Sequence, residues 1–396
     1  MGKSEPEEYC GADFEAELSR AREYVDDPGK LEREICAETS RSPLLHLQPP
    51  KPDQFAYRLM LYRGFVRYPE RLKNYLVATG EAHAPNRSFL PTIIDVEPVS
   101  RCNFRCIMCT VSDWPKGQRA EDLTVAEFED LLDKLPSVME MKLQGMGEPL
   151  LHRDFFTMAE LAVDRCIWVR STVNGSLLKA NENYRRLIDS GIGEVQTSFD
   201  GASKEVFETI RRGSNFDLVV RNLTLLNDYA NQQDRPYTRM WVVLQKHNRH
   251  QVFDFVELAR QMGFRRLTYS VGLVDWGQEK WHDSNDQLQA NQLNAEEHEQ
   301  LIELAGQYSI DISCWDSKAK YTTGPMGTLC PAVFNRASIT SDSRLVPCSM
   351  LSDPRIADLG DAKEFQNNWN GSAYQEFRQA HLSGEIPEYC RGCYKH

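Results

Sequence analysis

Residues 102–109 read Cys-Asn-Phe-Arg-Cys-Ile-Met-Cys, directly after a strand-like run at 92–98, Thr-Ile-Ile-Asp-Val-Glu-Pro. Three thiols on one short loop, Cys102, Cys106 and Cys109, can converge on one centre. A structural zinc wants four Cys or His ligands, and the next such residue downstream is His152. A four-iron cluster held by only three cysteines leaves one iron open to a ligand that is not protein. The bland alternative is three buried small hydrophobes. The loop's place at the C-terminal end of a strand, where parallel sheets bind ligands, argues against it.

Working outward, strand-like runs recur at 140–145, 167–175, 194–201, 239–245 and 265–273. Helical stretches separate them at 124–135, 154–164, 180–191, 214–230 and 249–263. Strand and helix in alternation demand a parallel sheet with right-handed crossovers. Six strands suit an α/β fold of the partial (β/α)6 barrel type better than a closed eight-stranded one. Strands buried on both faces should read as nearly continuous Val, Ile and Leu. Here Asp95 and Glu97 share a face, as do Arg170, Thr172 and Asn174, and Gln196, Ser198 and Asp200. That face is expected to line a cavity holding something polar.

Residues 1–90 read as a helical extension of two or three helices, broken by Pro-Pro-Lys-Pro at 49–52. The expected organisation is therefore this extension, the barrel over 91–308, and a small cysteine-bearing unit over 309–396.

The chain has 396 residues, 41% hydrophobic, 10% aromatic and 26% charged, which is ordinary globular usage. No apolar run reaches the ~18 residues of a membrane span. The acidic N-terminus lacks the apolar core of a secretory signal, so a cytoplasmic location is expected. Forty-six basic against fifty-eight acidic side chains gives −12, which disfavours nucleic-acid binding. Eleven cysteines, an odd number, in such a chain favour metal binding or catalysis over a disulfide framework.

The cysteine loop after the first strand of a six-fold βα pattern resembles the radical S-adenosylmethionine (SAM) superfamily. The resemblance implies a [4Fe–4S] cluster on Cys102, Cys106 and Cys109, with SAM filling the open iron and yielding a 5′-deoxyadenosyl radical that abstracts hydrogen. Further segments over about 90–270 support it. Gly145-Met-Gly-Glu-Pro149 is similar to the family's GGEP, with Met146 a departure. On that likeness, Gly147, Glu148 and Pro149 would contact the methionyl amino group. Asn174-Gly175 stands where the family contacts ribose. Ser198-Phe-Asp200-Gly201 resembles S-x-D-G, and Ile210-Arg-Arg-Gly213 resembles I-R-G. Arg211 would then meet the methionyl carboxylate, and Phe104 would pack near the adenine.

In the C-terminal unit, Cys330 and Cys348 flank an expected β-hairpin turning at Ser341-Asp342-Ser343, and Cys390 and Cys393 form a CxxC pair. Four thiolates suit zinc or a four-iron cluster, and spacing alone does not choose. The layout resembles the twitch form of the SPASM extension, β-hairpin plus helix, with Ser343 where that family has a turn glycine. The resemblance implies one auxiliary [4Fe–4S] cluster on these four cysteines, two clusters in all, with room for no more before His396. Over 90–396 the chain most resembles 2-deoxy-scyllo-inosamine dehydrogenase-like enzymes.

The leading functional expectation is thus a radical SAM oxidoreductase. It would abstract hydrogen from a hydroxylated carbon of a sugar or aminocyclitol and pass an electron to the auxiliary cluster, with flavodoxin or ferredoxin as donor. One alternative is an epimerase using Cys314, in Asp-Ile-Ser-Cys-Trp, as catalytic hydrogen donor. Another is peptide maturation, for which members often carry an N-terminal winged-helix unit with a three-stranded sheet. The helical look of 1–90 speaks against that.

Overall fold

The structure is a computed structural model describing residues 6–39, 45–46, 51–235, 237–324 and 327–395, without the side chains of 6–12, 38–39 and 45–46. Cys10 therefore lies outside the described side chains. The strands in chain order are β1 (Leu45–His46), β2 (Ile93–Val96), β3 (Arg105–Cys106), β4 (Glu140–Leu143), β5 (Trp168–Val173), β6 (Glu194–Ser198) and β7 (Arg211–Arg212). They continue with β8 (Thr238–Leu244), β9 (Arg266–Val271), β10 (Asp311–Asp316), β11 (Arg336–Ile339), β12 (Arg344–Val346) and β13 (Gly360–Asp361). One sheet of eleven strands runs β1-β10-β9-β8-β6-β5-β4-β2-β11-β12-β13. The pairs from β2 to β9 are all parallel, as the alternation of strand and helix requires. No helix among the described residues is long and apolar enough to cross a membrane.

The sheet extends past the six expected strands at both edges. β10 pairs in parallel with β9, so the barrel sheet continues beyond residue 308. At the other edge β11 pairs in parallel with β2, and the antiparallel hairpin β11–β12 follows. The C-terminal unit is thus stitched to the first barrel strand through backbone hydrogen bonds.

Strand faces follow the period of two. Ile94, Val96, Met141, Leu143, Val169, Val173, Val195, Met240 and Val242 are sealed beneath the helices in the main core. The opposite face carries Lys142, Arg170, Thr172, Gln196, Ser198 and Trp241, all only partly buried. The polar face expected from the sequence therefore looks onto accessible interior space.

Residues before the barrel form four helices, Pro6–Asp26, Pro28–Thr39, Gln54–Arg67 and Pro69–Gly80. Two or three were expected because apolar spacing runs on across the breaks. Prolines at the first helical position, Pro28 and Pro69, divide these runs: each fits a first turn and forbids an interior one. The helices share two small cores, one reaching Met139 of the barrel. Arg71, 2% exposed, anchors them. Its Nε donates to the Pro136 carbonyl at 2.9 Å and its Nη1 to the Cys166 carbonyl at 3.0 Å. The segment also closes the strand-start end of the barrel. Lys51 Nζ meets Glu140 at 2.5 Å, and the Tyr57 ring stands edge-on to Trp168 at 5.3 Å.

The hairpin turn places Ser343 in a conformation that favours glycine. Ser343 has φ +57°, in the left-handed region that costs an L-residue about 1–2 kcal/mol. Ser343→Gly is expected to stabilise the fold by up to about 1 kcal/mol, offset in part by the greater freedom of the unfolded chain. An unchanged or lower denaturation midpoint would contradict this.

Candidate functional site

The cysteine loop leaves the C-terminal end of β2 and is pinned on two sides. β3 pairs with β7, matching Cys106 with Arg211, and Ile107 N donates to the Ile210 carbonyl at 3.0 Å. On the other side Gly147 lies against the backbone before the first cysteine. A Cβ there would come within 2.3 Å of the Val99 carbonyl oxygen and 2.5 Å of that of Arg101. Glycine is the residue that lets Glu148 N donate to the Arg101 carbonyl at 2.9 Å. Met146 carries no such constraint, which accounts for the departure from GGEP; its N–H donates to Glu97 Oε1 at 3.0 Å.

Glu148, 2% exposed, accepts from Asn174 N at 2.7 Å and Leu150 N at 3.3 Å. Burial raises its carboxyl to about 7, against these hydrogen bonds and the Arg211 charge. Pro149 starts the turn that follows and is buried. Arg211 pairs with Asp200 at 2.5 Å, and its Nε has no hydrogen-bond partner among the described residues. Asp200 is fully buried and accepts from Val243 N at 2.7 Å. It thus orients Arg211. Ser198 stands half-buried at the end of β6 on the inner face.

Two further motif residues sit against the cysteine loop and the core. Asn174 is held by the cysteine loop: its Nδ2 donates to Asn103 Oδ1 at 2.9 Å, and its Oδ1 accepts from Ser176 N and Oγ at 3.0 and 2.7 Å. Phe104 is 2% exposed within the main core, so it presents almost no surface to an adenine. A loop aromatic next to a core strand reads the same in sequence whichever way its ring turns.

Cys102, Cys106 and Cys109 are free thiols. Burial pushes Cys102 up to about 12, and it pushes Cys106 and Cys109 upward too. Arg211 opposes this at all three, so stable thiolates require a further positive centre. The four C-terminal cysteines, Cys330, Cys348, Cys390 and Cys393, line one cavity of about 70 Å³ with Trp276, Leu351, Phe377 and Tyr394. Burial also raises Cys348, to about 12, and Cys390 more steeply. Among the described residues no three His, Cys, Asp or Glu side chains gather at single-ion distance. Zinc needs such convergence, with Zn–S near ~2.3 Å, whereas an iron–sulfur cube is wider. Three thiols on one loop and four around one cavity are donor sets of the kind an iron–sulfur cluster takes.

The sites are joined by residues that sequence reading missed. Trp276, at φ +55°, lines the four-thiol cavity while its Nε1 donates to the Met108 carbonyl at 2.9 Å. Arg119 bonds Glu97 at 3.1 Å and Asp342 of the hairpin turn at 2.7 Å. Neither has a local motif; both contacts span long separations in the chain.

Cys314 lies elsewhere. On β10 it pairs with Tyr269, whose ring packs on Phe255 and whose hydroxyl donates to the Val252 carbonyl. Paired residues of parallel strands share a face, so the thiol is turned toward the outer helices, away from the barrel interior. Burial raises this thiol to about 11.

Residues 96–259 match the Radical SAM superfamily, and residues 330–394 match an iron–sulfur cluster-binding domain, SPASM. Mycofactocin maturase MftC of Mycolicibacterium smegmatis is 27% identical over 194 residues, 49% of this chain and 48% of the maturase. The chain thus spans about half the length of the maturases it matches. A probable GTP 3′,8-cyclase of Methanothermobacter thermautotrophicus is 27% identical over 71% of this chain and 91% of its own length. PqqA peptide cyclase of Bradyrhizobium diazoefficiens is 22% identical over 77% of this chain and 79% of the cyclase. Among solved structures, Streptococcus suis SuiB bound to precursor peptide SuiA has TM-score 0.57 at 15% identity, covering 91% of this chain and 79% of SuiB. That is likeness of fold. The chain therefore carries a radical SAM domain, which works with a [4Fe–4S] cluster and S-adenosylmethionine, followed by a SPASM iron–sulfur cluster-binding domain.

Proposed function

We propose that this chain is a radical SAM enzyme that matures a peptide. The observation that carries the reading is the span of the PqqA peptide cyclase relationship, 77% of this chain and 79% of the cyclase. The mycofactocin maturases support it. Oxidation of a sugar or aminocyclitol rests on the motif resemblance over 90–396 and on the polar inner face, which suits any hydrophilic substrate. Among the described residues, 1–90 hold helices and one two-residue strand, and they brace the barrel's closed end. A peptide would enter at the opposite end.

Cys102, Cys106 and Cys109 would hold the first cluster, and Cys330, Cys348, Cys390 and Cys393 the second. With SAM bound, the first cluster supplies a radical able to remove hydrogen from an unactivated carbon. Arg211, held by Asp200, would hold the methionyl carboxylate, and Glu148 the amino group. Four cysteines would complete the second site's coordination, leaving it suited to accept an electron. A small electron-transfer protein of flavodoxin or ferredoxin type would supply the reductant.

The test is to co-express the protein anaerobically with each short open reading frame flanking its gene and to weigh the peptides. A peptide lighter by two hydrogens, absent when Cys102 is replaced, supports the reading. Unchanged peptides, with 5′-deoxyadenosine release stimulated instead by amino sugars, would refute it and restore the oxidation of a hydroxylated carbon.

Cys314→Ala is expected to retain turnover within about twofold, because its thiol faces the outer helices; loss of a small buried group costs stability before activity. Loss of product with normal iron content and folding would revive the hydrogen-donor role.

A further inference from the structure

The inner face of the barrel carries a lysine, Lys142, that forms no ion pair among the described residues. Lys142 lies on β4, in register between Asp95 of β2 and Arg170 of β5. Neighbouring strands stand about 4.8 Å apart, so these side chains form a row on the inner wall. The others are committed. Arg170 pairs with Glu140 at 2.9 Å. Asp95 accepts from Ser338 Oγ at 3.1 Å and faces Arg336 at 3.7 Å. Lys142 makes no hydrogen bond or salt bridge among the described residues and stays beyond ion-pair distance of Asp95. It is walled in by protein yet keeps accessible surface, so it lines interior space. Gln144 Oε1 and Asp95 Oδ1, on the same wall, are also buried without hydrogen-bond partners.

A buried ammonium without a partner is costly. Here desolvation, with the nearby Arg170 and Arg336, lowers its pKa to about 8 against the pull of Asp95 and Cys348. The cost is recovered when an anion docks. A carboxylate fits best: the ammonium supplies both its countercharge and its hydrogen-bond donors.

We propose that Lys142 is a specificity-determining residue that binds a carboxylate of the substrate inside the barrel. On the peptide reading, that group is an acidic side chain or a peptide C-terminus. The proposal needs only that substrate enters the barrel, not that it is a peptide.

The test uses anaerobically reconstituted protein loaded with SAM and titrated calorimetrically with glutarate and, separately, with the uncharged glutaramide. Glutarate is expected to bind and glutaramide not. K142M should weaken glutarate at least tenfold, and K142R should retain most of the affinity, with iron content and SAM binding unchanged in both. Equal glutarate affinity in wild type and K142M, or none in wild type, would overturn the proposal. A second arm separates it from the peptide reading by titrating matched peptides carrying Glu or Gln. Binding of glutarate but of neither peptide keeps the carboxylate site and removes the peptide.

Discussion

A variant with Cys102, Cys106 and Cys109 all replaced by alanine is expected to lose SAM cleavage entirely and to keep about half of its iron after anaerobic reconstitution. The expectation follows from separation of the two thiol sets. One hangs on the loop after β2, zipped to Arg211 by the β3–β7 ribbon. The other lines its own cavity between the 274–277 loop, the hairpin and the C-terminal turn. Each set is carried by its own backbone segments, so emptying the first should leave the second able to fill. Thiol-to-alanine changes also remove groups whose burial disfavours the thiolate, so folding should survive. Iron and sulfide measured against protein, with 5′-deoxyadenosine counted by chromatography, give the answer. Full iron content, or residual 5′-deoxyadenosine formation, would show that these residues do not hold the cluster. One zinc and no sulfide in wild type would undo both assignments.

How far the chain could be read in advance depended on the range of the interactions. The barrel was legible because alternation of strand and helix is written locally, and the cysteine loop because its ligands lie within eight residues. The C-terminal thiols were legible as a set, although which strand carries them back to the barrel was not. The pairing of β11 with β2 joins Ser338 to Asp95, 243 positions apart, and no local signal reports it. Cys314 illustrates the same limit: one position in register turns a thiol from the inner wall to the outer layer. Phe104 and Asn174 were found as motif residues, but their partners came from the folded loop. The brace made by Lys51 and Arg71 was invisible for the same reason, since an isolated Lys or Arg in a helical extension reads as solvated surface.

The two domains are also tied by charge. Glu97 leaves the end of β2, accepts from Met146 N, and bonds Arg119, which reaches Asp342 in the hairpin turn. Glu97 also accepts from Ser341 N at 3.2 Å. A single buried carboxylate thus touches the Gly-rich loop, the segment after the cysteine loop and the auxiliary hairpin. Burial raises its pKa, and Arg119 is the main opposing influence. The arrangement fixes the spacing of the two thiol sites through side chains that bind no cofactor themselves.

Arg211→Ala should weaken SAM binding by roughly 2–5 kcal/mol, about thirtyfold to several thousandfold, if the guanidinium meets the methionyl carboxylate. The single substitution is ambiguous, because it also strands Asp200, which is fully buried. Removing one partner of a buried pair costs about 3–5 kcal/mol of stability. The discriminating protein is Asp200→Asn/Arg211→Leu, which withdraws both charges together. Replacing a buried pair by neutral groups of similar volume is often tolerated, so this variant should fold and reconstitute. The amide introduced by Asp200→Asn can still accept from Val243 N through its carbonyl oxygen, as Asp200 Oδ1 does at 2.7 Å. SAM affinity is nevertheless expected to fall as far as in Arg211→Ala, because the unpartnered Nε and the rest of the guanidinium are gone. Binding is read by equilibrium dialysis on the reconstituted protein, with thermal unfolding followed in parallel. Wild-type affinity in the folded double variant would assign Arg211 to the cysteine loop, as the β7 partner of Cys106, and not to the cofactor.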